Sequence, residues 1–83
     1  MITVKVLGPG CANCTRLEQS ARKVVEVMAI EAEIIKVTDH MEIMNHGVLN
    51  TPGLIVNDEI VSSGRIPSEA EITTWLVTAL EAG

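Results

Sequence analysis

The stretch from Ile2 to Val37 narrows the possible folds more than any other part of the chain. Residues 2–7 (ITVKVL) alternate weakly and are rich in β-branched side chains, the pattern of a strand. Gly8-Pro9-Gly10 breaks that run. From Cys11 the apolar residues recur at helical spacing: Cys14, Leu17, Ala21, Val24, Val25 and Met28 share one face. Arg16, Glu18, Gln19, Arg22, Lys23 and Glu26 cover the other, with Glu18 and Arg22 at i, i+4. A second strand follows over residues 32–37. Two strands joined through a helix imply a parallel pair with a right-handed crossover.

The remainder completes the sheet. Asp39 with Glu42 three residues later reads as a capping box for a short helix that fades by Gly47. Thr51-Pro52-Gly53 precedes an extended run, Leu54-Ile55-Val56. Asn57-Asp58-Glu59 is turn material, and Ile60-Val61-Ser62-Ser63 closes a hairpin. Gly64-Arg65-Ile66-Pro67 is a loop. Ser68 with Glu71 caps a last helix, whose expected buried stripe is Ile72, Trp75, Leu76, Ala79 and Leu80. The order is β-α-β-α-β-β-α, an α/β fold with a mixed four-stranded sheet and helices on both faces. With no Phe or Tyr and Trp75 as the single aromatic residue, the core has to be aliphatic. The 83 residues make one small domain spanning 1–83.

Charge excludes several roles. A formal net charge of −5 is poorly suited to nucleic acid or an anionic membrane. No apolar run approaches the roughly 20 residues of a membrane span. The first residues lack the basic region, long apolar segment and cleavage site of a signal peptide, so a soluble cytoplasmic protein is expected. In a reducing compartment the two cysteines of "GPGCANC" make a poor structural staple, because a CxxC bridge closes a very short loop. That leaves a redox couple or a claw for a soft metal, and the seven residues fit both. "HMEIMNH" also holds the soft-metal ligand types His40, Met41, Met44 and His46. Their spacing matches no strong ligand template, so Met41 and Met44 are expected to pack beneath the short helix, with the histidines on its rim.

The element order, CxxC opening the first helix and Thr-Pro just before the third strand resemble a minimal thioredoxin fold. More narrowly, "GPGCANC" and "GVLNTPGLIVNDEIVSSGRIPSEAEITTWL" resemble the small thioredoxin- and glutaredoxin-like redox-active disulfide proteins of archaea and bacteria. The match spans nearly the whole chain. It implies a cis peptide bond at Pro52 facing the disulfide, with Thr51 beside it offering backbone to an incoming peptide. It implies a redox-active Cys11–Cys14 disulfide with no further cofactor, and a thiol–disulfide oxidoreductase. Its partners would be disulfide-containing substrate proteins and a thioredoxin-reductase-like donor or glutathione, and the protein would be a monomer. The chain also departs from longer thioredoxins. Gly10 replaces a Trp, Ala12-Asn13 separates the thiols, and Lys5 stands where a buried acid is usual.

Within that frame Cys11 falls at a helix N-terminus, where unpaired N–H groups and the dipole favour a thiolate. Cys14, one turn in and on the buried side, is the resolving thiol. Ala12 and Asn13 join Thr51 and Pro52 as candidate substrate contacts. Arg65 and Lys5 are candidate electrostatic neighbours of the thiolate, although a solvated Arg and a snorkelling Lys are the plainer readings. Two alternatives remain open. One is a soft-metal (copper) chaperone domain, which "VLGPGCANCTRLEQSA" resembles at its opening. Such domains offer a Met where Pro9 stands, and they end in a strand rather than a helix. The other is a non-catalytic redox-sensing module, which needs the same pair of thiols.

Overall fold

The computed structural model describes residues 2–10, 12–48 and 50–82; positions 1, 11, 49 and 83 lie outside that description. Seven elements follow in order: β1 (Ile2–Leu7), α1 (Ala12–Met28), β2 (Ala32–Val37), α2 (His40–Asn45), β3 (Gly53–Val56), β4 (Glu59–Ser63) and α3 (Glu69–Ala82). They form one four-stranded sheet in the order β2-β1-β3-β4. β1 pairs with β2 in parallel, Ile2 opposite Ala32 and Leu7 opposite Val37, as the crossover requires. The β1–β3 and β3–β4 pairs are antiparallel, so the sheet is mixed.

Alternation along the central strands divides the core in two. Ile2, Val4 and Val6 of β1, with Leu54 and Val56 of β3, face α1 and α3, where Leu17, Ala21, Val24, Ile72 and Leu76 complete the larger cluster. The intervening Leu7 and Ile55 face the other way and join Val37, Ile43 and Val48 under α2. β3 is therefore buried on both faces, which explains its wholly apolar sequence, whereas Thr3 and Lys5 leave the second face of β1 half-buried. Each such side chain contributes about 1.5–3 kcal/mol on burial. No aromatic ring is needed, and Trp75 packs half-buried at the margin of the larger cluster.

The caps form where the sequence places them. Asp39 Oδ1 accepts from the N–H groups of Met41 and Glu42 at 2.8 and 3.2 Å. At α3, Glu71 N–H donates to Ser68 Oγ while Ser68 N–H donates to Glu71 Oε1, a complete capping box.

Three expectations need correction. Met41 and Met44 do not pack beneath α2; they are 73% and 71% exposed. A helix of six residues turns one position firmly inward, and Ile43 takes it, with Val48 just beyond the helix filling the next place. Leu80 is 47% exposed rather than buried. At about 100° per residue it lies about 80° round the helix from Ile72, off the inward stripe that Trp75 and Ala79 still flank. Glu59 belongs to β4, not to the turn, which consists of Asn57 and Asp58 alone. Both have positive φ (48° and 67°), the signature of a two-residue hairpin turn that matches strand twist. Asn57 also clamps Thr3, donating from its N–H to the Thr3 carbonyl and accepting the Thr3 N–H on its side chain. A bulge opposite Leu54 and Ile55 lets β4 turn Val61 and Ser62 toward the core.

Candidate active site at the start of the first helix

One end of the sheet gathers chain segments that are far apart in sequence. β1 ends at Leu7, and Gly8 N–H donates to the Val37 carbonyl at 2.9 Å, which fixes the exit of the strand. Gly8 is buried, and its α-carbon faces Cys14 so closely that an added Cβ would overlap the Cys14 sulfur. The same Cβ would stand 3.9 Å from Cβ of Thr51. Only a glycine permits this approach, so Gly8 is a packing requirement as well as a strand break. Cys14, the third residue of α1, is 5% exposed and disulfide-bonded. Cys11 lies outside the described residues.

The third segment is the loop before β3. The Thr51–Pro52 peptide bond is cis, the geometry the resemblance implies; Pro52 is buried and Thr51 exposed. The Pro52 carbonyl accepts the N–H of Gly64 at 3.0 Å. Gly64 has φ +78°, and a Cβ on it would come 3.1 Å from Cβ of Asn50. The loop after β4 is thereby tied to the Thr51–Pro52 segment. Ala12 and Asn13 are exposed on the first turn of α1, level with this cluster.

The electrostatics of the site come mainly from the backbone. Among the described residues, no acidic side chain in the first turn of α1 offsets the positive end of its dipole. The two candidate cations are engaged elsewhere. Arg65 forms a fork with Glu71, Nη1 to Oε1 at 3.1 Å and Nη2 to Oε2 at 2.6 Å. That hydrogen bond, with the Ser68 N–H, holds the Glu71 carboxyl down at about 2. Lys5 pairs with Asp58 at 3.8 Å. Asp58 lies in the hairpin turn beside Thr3, at the opposite end of β1 from Gly8. The cluster thus joins Gly8, Cys14, Thr51 and Pro52, leaves Ala12 and Asn13 open to solvent, and binds Arg65 and Lys5 to carboxylates.

Sequence reasoning overlooked Gly8 and Gly64. The available signal was a glycine six residues before Cys14, at the end of a buried strand, where a break alone would have tolerated other residues.

Similarity to known proteins agrees with this geometry. Residues 2–77 match the family model described as a thioredoxin domain. The chain is 42% identical over 81 residues to a thioredoxin of Methanocaldococcus jannaschii, covering 98% of this chain and 93% of that one. It is 39% identical over 72 residues to a thioredoxin of Methanothermobacter thermautotrophicus, covering 87% and 94%. Among solved structures, the fold is similar to thioredoxin-2 of the malaria parasite, with a TM-score of 0.72 at 14% identity over 94% of this chain and 82% of that one. A second malarial protein matches with a TM-score of 0.72 at 15% identity, over 96% and 98%. The helix α3 that follows the β3–β4 hairpin belongs to the same topology. A disulfide-bonded Cys14 packed against Gly8, with Thr51 close to the same glycine, is therefore found in a chain that belongs to the thioredoxin family and is, in the general sense of that family, a thiol–disulfide oxidoreductase.

Proposed function

We propose that the protein carries electrons to disulfide-containing substrate proteins through the Cys11–Cys14 pair, with Cys11 as the attacking thiolate. Cys11 attacks one sulfur of the substrate disulfide, forming a mixed disulfide and releasing the other substrate sulfur as a thiolate that takes up a proton. Cys14 then loses its proton and attacks Cys11 Sγ, releasing the second substrate thiol and closing the Cys11–Cys14 disulfide. Two electrons pass from the dithiol to the substrate, and no further cofactor is needed. A thioredoxin-reductase-like protein or glutathione restores the dithiol. The reading places the protein in the cytoplasm, acting as a monomer. Thr51 and Pro52, with Ala12 and Asn13 opposite, frame the substrate strand.

The observation that best supports this reading is the meeting of Gly8, Cys14 and Thr51 at the open end of the sheet. Burial of Cys14 suits the resolving thiol, which meets only the neighbouring sulfur, while the uncompensated N-terminus of α1 suits an attacking thiolate just ahead of it. The decisive experiment is a Cys14→Ser variant incubated with cell extract. Mixed disulfides through Cys11, dissolved by reductant, are expected to accumulate. Trapping by Cys11→Ser instead, or by neither variant, would overturn the assignment.

A further inference from the structure

The chain's charge is segregated along the sheet. Strand directions define two poles: one holds Gly8, Cys14 and Thr51, the other the hairpin turn at Asn57-Asp58. Glu26 lies near the end of α1, Glu31 precedes β2, Glu33 is opposite Thr3, Asp58 lies in the turn with Glu59 just after it, and Glu81 lies near the end of α3. All six carboxylates belong to the far pole. Lys5, paired with Asp58, is the cation directed there, which leaves the far pole at −5, the formal charge of the whole chain. The thiol half is balanced. Glu18 is shared by Arg22 and Lys36, Glu69 by Lys23 and Glu71 by Arg65, while Asp39 and Glu42 sit with α2 on the opposite face of the sheet.

Arg16 is the exception. Among the described residues it is the one basic side chain with no carboxylate partner, and it is exposed. It stands one turn beyond Ala12 on α1 and lines a groove of about 350 Å³ together with Gln19, Ser20, Lys23, Ile66 and Glu69. The far wall of the groove is the loop that Gly64 ties to Pro52. The groove therefore leads away from the redox end along the seam between α1 and α3.

We infer that this groove receives an acidic segment flanking the partner's disulfide, with Arg16 as its docking cation. The inference rests on the redox function proposed above. Charge complementarity carries it: the exposed face of α1, one turn beyond Ala12, offers an unpaired guanidinium, and the field of the acidic pole turns that face toward an approaching anion. Arg16 is here a specificity residue that meets the flanking segment, not the reacting sulfurs.

The test uses the reduced full-length protein and two short peptides, each with one disulfide, flanked by Asp/Glu or by Lys. Second-order reduction rates are compared at an ionic strength of about 0.01 M, where the Debye length is about 30 Å, and at about 1 M, where it is about 3 Å. At low salt the acidic peptide is expected to react faster. Arg16→Gln should cut the acidic-to-basic rate ratio about two- to five-fold, the scale of one exposed ion pair. Arg16→Glu should cut it further, and at high salt the ratio should approach one. Faster reduction of the basic peptide by the wild type would show that net charge governs and would overturn the inference. So would a ratio unchanged in both variants. If the wild type reduces neither peptide, the redox reading itself fails and takes this inference with it.

Discussion

At the scale of single residues, two positions carry direct tests. Gly8 touches Cys14 through a contact that leaves no room for a methyl group. Gly8→Ala should destabilise the oxidised protein by about 1–3 kcal/mol, the usual cost of overpacking a tight site, measured by denaturant unfolding. Glu71 supplies a pH dependence. Its ordinary value is 4.5 and its folded value about 2, so its contribution to stability is complete above 4.5. That contribution is lost as pH falls from 4.5 toward 2, because the unfolded chain then binds the proton first. The difference in Tm between wild type and Glu71→Gln should therefore be larger at about pH 6 than at about pH 3, and should shrink with added salt because the pair is exposed.

At the scale of elements, α2 separates position from composition. Ile43 is 4% exposed, whereas Met41 and Met44 lie open to solvent. Ile43→Ala should cost about 2–5 kcal/mol. Met41→Gln and Met44→Gln should each stay within about 0.5 kcal/mol of wild type in the same unfolding assay. The contrast also marks what could be read in advance. The crossover from β1 through α1 to β2 was legible because Leu17, Ala21 and Val24 repeat over several turns, and periodicity becomes decisive with length. The caps at Asp39 and Ser68 were legible because each is a local hydrogen-bond pattern. In α2, six residues hold too few turns to distinguish an inward Ile from an outward Met. Leu80 failed for a related reason, since a stripe projected from the middle of a helix drifts off the sheet near its end. The candidate site was legible to the extent that it lies in Cys14 and Thr51-Pro52, while Cys11 lies outside the described residues. Gly8 and Gly64 were not, because a glycine chosen for a close approach looks in sequence like one chosen for a turn.

At the scale of the whole molecule, the sheet acts as a ruler that sorts function. Its ends differ in charge although its faces are both aliphatic, and strand direction alone decides which loop belongs to which pole. The charge segregation predicts that moving acid from the far pole should weaken discrimination without touching the groove. A Glu31→Lys, Glu33→Lys double variant should narrow the low-salt preference for the acidic peptide, since both residues are exposed and remote from Cys14.

The bulge in β4 has a consequence for solubility. β2 and β4 are the sheet's two free edges, and each is a row of backbone groups that can template another strand. β2 sends Glu33 and Lys36 to the solvent, and such charges oppose a flat apolar mate. β4 relies on geometry instead. The inserted residue near Val61 shifts its ladder by one position between Ser62 and Ile60, so a straight incoming strand loses register after two or three pairs. A chain whose core is nearly all β-branched and leucine thus carries, within five residues of strand, its own guard against growing into a fibre.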